Sequence, residues 1–142
     1  MMFIAVIFCA LVGCMPNNTS YIEPSLAPYI NDFYTQAEAR GRHLRHLPID
    51  VRYGLLEFHT LGVCYRGRYP ENNLILVNAP KWDNMTQAAK RELIYHEMAH
   101  CVMNKPHVPD RQDDLMVPVA ISSYDEERYL RLESYLLDKL FK

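Results

Sequence analysis

The sequence has no run of Lys or Arg, no internal repeat, no low-complexity tract and no apolar stretch long enough for a finished membrane-spanning helix. With a formal net charge of −2, the missing basic run argues against a nucleic-acid surface. The missing repeat and low-complexity tract exclude an array or a wholly disordered chain. At 142 residues the chain makes one domain at most. What is present, 49% hydrophobic and 23% charged residues, is ordinary globular composition.

The longest apolar run lies at the start. Met1 to Gly13 is continuous and ends at Cys14. It is too short to span a bilayer but suits the apolar region of a secretion signal. Leu11-Val12-Gly13-Cys14 resembles the lipobox of bacterial lipoproteins, in which cleavage precedes the Cys and its sulfur and new amine carry lipid. No Lys or Arg precedes the run, so the leading positive charge is the terminal amine alone. The plainer reading is an ordinary signal peptide with an incidental Cys. The resemblance implies lipidation at Cys14 and, with Met15 rather than Asp next, placement in the cell envelope at the outer membrane. Residues 15–27, rich in Pro, Asn and Ser, read as a tether. The expected organisation is a signal over 1–13, a lipid-anchored tether over 14–27 and a domain over 28–142.

The domain is organised around Tyr95-His96-Glu97-Met98-Ala99-His100, an H-E-x-x-H pattern. Two His four apart on a helix lie one turn apart on nearly the same face, so both can reach one ion. Glu97 stands at the rim, where it can take a proton from a metal-bound water, the general-base role in zinc peptidases. The bland alternative is a charged, His-bearing surface helix. The context disfavours it: Thr86 is placed to cap, Gln87 to Glu92 are good helix formers, and Leu93, Met98 and Val102 run beside the histidine face. The helix must stop before Pro106.

Elsewhere the periodicity predicts a first helix over 28–47, ended by Pro48, and a last helix over 124–141, capped by Ser122 or Ser123. His43 and His46, beside Arg42 and Arg45, read as a cationic last turn that complements the helix dipole rather than as ligands. Strands are predicted at 49–53, 61–66 and 74–77, the last buried on both faces. His59 reads as a packed or surface residue. Trp82 is expected to pack under the His-bearing helix. The fold class is α+β: a short mixed or antiparallel sheet of about three strands, packed on the N-terminal, His-bearing and C-terminal helices.

A catalytic zinc usually takes three protein ligands and a water, and His107 is the obvious third. Here the sequence resembles the zincin metallopeptidases, in particular the metzincin pattern H-E-x-x-H-x-x-G-x-x-H with a Met-turn. The final His comes seven residues after His100 instead of six, and Met103 stands in place of the turn Gly. Asn104 can supply the left-handed residue instead. Leu115-Met116-Val117-Pro118 looks like the Met-turn. Over residues 61 to 118 the chain is more closely similar to small bacterial and phage metallopeptidase-like proteins and lipoproteins with H-E-x-G-H-C-x-x-x-x-x-H, in which Cys101 and His107 match and Ala99 replaces Gly. The resemblance implies a small zincin-like domain and a Zn2+ site but no particular substrate; the peptidase reading adds a peptide or protein substrate. It also suggests Tyr124 as an oxyanion stabiliser.

Other third ligands stay open: Asp110, Asp113 or Asp114 from the same loop, Glu126 or Glu127 from the following helix, and Cys64. Peptide deformylases pair H-E-x-x-H with a strand Cys, but Gly-Val-Cys-Tyr-Arg does not match their signature. With Cys9 lost in the signal and Cys14 lipidated, Cys64 and Cys101 remain in an oxidising compartment, as a disulfide or as two buried thiols. The expected function is a zinc-dependent peptidase on a lipid-anchored domain. The alternative is an envelope binding module with a structural or vestigial zinc site. Glu97 favours the enzyme, because a structural site needs no general base.

Overall fold

The structure, a computed structural model, describes residues 20–67, 73–108, 113–123 and 125–142. Three strands form one sheet: β1 Ile49–Gly54, β2 Gly62–Tyr65 and β3 Asn73–Asn78. Their order is β1-β3-β2, with β3 parallel to β1 and antiparallel to β2. The helices are α1 Ala27–Ala39, α2 Ala79–Trp82, α3 Gln87–Met103 and α4 Glu126–Leu140, with a 3-10 turn at Ile121–Ser123. The fold is therefore α+β with a mixed three-stranded sheet, as the sequence pattern implies.

α3 is the central element. Thr86 accepts a hydrogen bond from the Ala89 N–H at 3.2 Å, capping its start. Asn104, left-handed at φ 56°, ends it, and the Lys105 N–H returns to the Ala99 carbonyl at 3.1 Å. Ile94, Tyr95, Met98 and Ala99 are fully buried against Phe33 and Ala37 of α1 and Val51, Ile75 and Val77 of the sheet. Trp82 is also buried, meeting the Tyr29 ring edge-on at 5.3 Å and lying under the α3 ammonium of Lys90.

Four expectations need correction. α1 stops at Ala39, because Gly41 turns the chain at φ 71° and the Gly41 and Arg42 N–H groups fold back onto Glu38 and Ala37. Arg42, His43, Arg45 and His46 thus lie in the connection to β1, not in a helical turn. Residues 20–26, read as part of a tether, pack on the domain: Ile22 bridges to Val51, Tyr21 and Glu23 exchange backbone bonds with Val51, and Leu26 is fully buried. β3 is covered on one face only, with Ile75 and Val77 buried while Leu74 and Leu76 are half-buried. α4 is capped by Asp125, whose carboxylate accepts the Arg128 N–H at 2.9 Å, while Ser122 and Ser123 belong to the 3-10 turn before it.

Candidate metal centre

His96 and His100 project from successive turns of α3, and the loop beyond Asn104 brings His107 back to them. The three Nε2 atoms lie 3.0, 3.0 and 3.1 Å apart. Among the described residues this is the group whose donor atoms converge as metal ligands do. The loop is held by a 3.0 Å bond from the Val108 N–H to the Met116 carbonyl.

The other ring nitrogens fix the chemistry. His96 Nδ1 lies 2.7 Å from the Leu115 carbonyl and His100 Nδ1 2.6 Å from the Lys105 carbonyl. A carbonyl only accepts, so each Nδ1 carries the proton and each Nε2 presents a lone pair. Burial, assisted by the neighbouring rings, pushes His96 down to about 4 and also lowers His100, so both are neutral near pH 7. Three imidazole nitrogens this close, two with their protons committed elsewhere, repel one another unless a cation lies among them. The donor set therefore fits a divalent ion, which imidazole binds at about 2.0–2.1 Å.

Glu97 lines the same cleft as the three His, though little of it is exposed. It lies beneath β2, 5% exposed, with a backbone hydrogen bond from Cys64. Burial raises its carboxyl to about 7, against the opposing pull of the Cys64 bond. The space it occupies exists because residue 62 is Gly: a Cβ there would lie 3.0 Å from Glu97 Cγ and 3.1 Å from its Oε1.

Cys64 and Cys101 form a disulfide. It joins β2 to α3 directly after His100 and removes Cys64 as a thiolate ligand. Asp113 pairs with Arg128 at 2.8 Å. Asp114 pairs with Lys139 and accepts the Met116 N–H, so it builds the turn that carries Leu115. Glu127 faces Arg131, and neither it nor Glu126 joins the converging group. Met116 is buried within the same turn. Cys14, Asp110 and Tyr124 lie outside the described residues.

Sequence reasoning missed Glu92. It is 1% exposed and accepts the Ile121 and Ser122 N–H groups at 2.8 Å each. This clamps the segment after Met116 against α3, one turn before His96. Its spacing of four from His96 was the available signal, since both lie on one helix face.

A cleft of about 760 Å³ opens over the three His. Its lining includes Gly62, Val63 and Cys64 of β2 and Val117 to Ala120. The profile of the family described as "Putative phage metallopeptidase" matches residues 35–130. The chain belongs to this family. No curated protein and no solved structure matches it. A metallopeptidase requires a metal and a polar group poised beside it. The matched segment contains His96, Glu97, His100 and His107, together with the turn that supports them.

Proposed function

We propose that the protein is a zinc-dependent peptidase, lipid-anchored through Cys14 in the bacterial envelope, in which His96, His100 and His107 hold the ion and Glu97 is the general base. The observation that carries this is the convergence of three imidazole Nε2 atoms within 3.1 Å, next in the chain to a buried carboxyl. Zinc bound there would lower the pKa of water and polarise the scissile carbonyl.

The remaining steps belong to the chain. Leu115 and Lys105 orient the His96 and His100 rings through Nδ1. Glu97, raised toward neutrality, is suited both to accept a proton at its carboxylate and to return it to the leaving amine. β2 pairs with β3 on one edge and is an edge strand of the sheet, and its Gly62, Val63 and Cys64 line the cleft. An extended peptide laid along that strand would gain main-chain hydrogen bonds and present its carbonyls to the site. Phe58 and Val119, both exposed on the cleft lining, offer apolar contact to its side chains. Tyr124 remains a proposed oxyanion stabiliser. The lipid anchor is supported by the apolar run and Leu11-Val12-Gly13-Cys14 alone.

Zinc titration of His107→Ala beside Asp113→Ala and Glu126→Ala tests the ligand set. The expected result is a loss of affinity by orders of magnitude for the His variant alone. Full affinity in His107→Ala, with loss in either carboxylate variant, refutes the assignment.

A further inference from the structure

We propose that the end of the domain where the chain enters the fold docks onto anionic phospholipid headgroups, with Arg42 and Arg45 as its principal contacts. This rests on the lipid-anchored reading and adds to it an orientation and a lipid preference.

The first observation is where the anchor delivers the domain. Ser20 accepts the Ile49 N–H through its hydroxyl at 3.2 Å, so chain entry is fastened to the start of β1. Only residues 15–19 separate Ser20 from Cys14. Fully extended, those six steps reach roughly 20 Å. On the lipid-anchored reading, the surface around Ser20 and Ile49 is therefore held within about 20 Å of the bilayer.

The second observation is the charge of the segment that leads into Ile49, part of which, Arg42, is near enough to Lys105 for their charges to interact. The segment running into Ile49 is Arg-Gly-Arg-His-Leu-Arg-His-Leu-Pro, residues 40–48, with three Arg and no acid in a chain of net charge −2. Arg40 is engaged by Asp138 and His43 by Glu38, each at 2.8 Å, and His46 stacks on Tyr34. Asp50, the nearby carboxylate on β1, pairs with Arg52 and accepts the Tyr21 N–H. Arg42 and Arg45 are exposed and form no ion pair among the described residues. Such cations gain about 1 kcal/mol each near an anionic leaflet, roughly a fivefold gain per residue, within a Debye length of about 8–10 Å. The short tether permits that approach, and guanidinium suits bidentate contact with phosphate.

The test uses the full chain as processed by its host, reconstituted with vesicles of phosphatidylglycerol and phosphatidylcholine or of phosphatidylcholine alone. Hydrogen exchange of residues 41–47 is followed by mass spectrometry, and the mass of the N-terminal peptide reports lipid on Cys14. The expected result is slowing on the order of tenfold on the anionic vesicles only. High salt should abolish it, as should R42E/R45E and the milder R42Q/R45Q, with unchanged circular dichroism. Lipidated Cys14 with no protection, or equal protection on both vesicles, overturns the docking surface while the anchor stands. Unmodified Cys14 refutes the anchor and overturns the docking surface with it, since nothing then tethers Arg42 and Arg45 near the bilayer. Equal protection by a DNA oligonucleotide marks a general polyanion site and also overturns the proposal.

Discussion

Gly62 and Glu97 occupy one space: a Cβ on the glycine would stand 3.0 Å from the glutamate's Cγ and 3.1 Å from its Oε1. The contact sets where the buried carboxyl can sit. Gly62→Ala should displace Glu97 while leaving the β2–β3 pairing intact. Peptide hydrolysis should fall on the order of 10- to 100-fold, because small displacements of a positioned group carry costs of that size. Bound metal should stay unchanged. Unaltered turnover would show that Glu97 tolerates the shift or is not the base.

The Cys64–Cys101 disulfide links the strand bordering the cleft to the helix bearing His96 and His100, across 37 residues of chain. Its removal by Cys64→Ser/Cys101→Ser should cost about 2–4 kcal/mol of stability, read by denaturant unfolding. Metal affinity should fall less than in a His variant, since the three imidazoles keep their own supports. Equal stability with and without the bridge would mean that packing alone fixes β2 on α3.

Asp32 on α1 accepts hydrogen bonds from Arg91 and Tyr95 of α3, each at 2.7 Å. Burial alone would raise this carboxyl, but the Arg91 and Tyr95 bonds outweigh it and hold it below the ordinary range. The folded state then binds the proton more weakly than the unfolded chain. Stability from this group is present above the usual carboxylate pKa and is lost as the pH falls through the depressed value. Asp32→Asn should lower stability near pH 7 by about 1.5–3 kcal/mol and flatten the acid limb of the stability–pH curve. An unchanged acid limb would place that dependence on other groups.

The local features of α3 were legible in the sequence because they are short-range. Thr86, the helix-forming start, Asn104 and the four-residue His spacing each act within one or two turns. The placement of β2 at the sheet edge was not legible, because strand order depends on pairing between distant segments. α1 was read too long because Leu44 continues its apolar pattern, and the turn at Gly41 overrode that pattern. Residues 20–26 looked like tether by composition, yet Ile22 and Leu26 pack as single apolar residues with no period to reveal them. Glu92 looked like an ordinary helix former, because the N–H groups it accepts come from residues about thirty positions away.

The most direct measurement compares hydrolysis of a mixed peptide library by the wild-type chain and by Glu97→Gln, with zinc content determined on the same samples. Both should carry close to one zinc per chain, since the three His are intact, and the variant should hydrolyse peptides at least about a hundredfold more slowly. Equal turnover in the two proteins, or a wild type with neither zinc nor peptidase activity, would contradict the account.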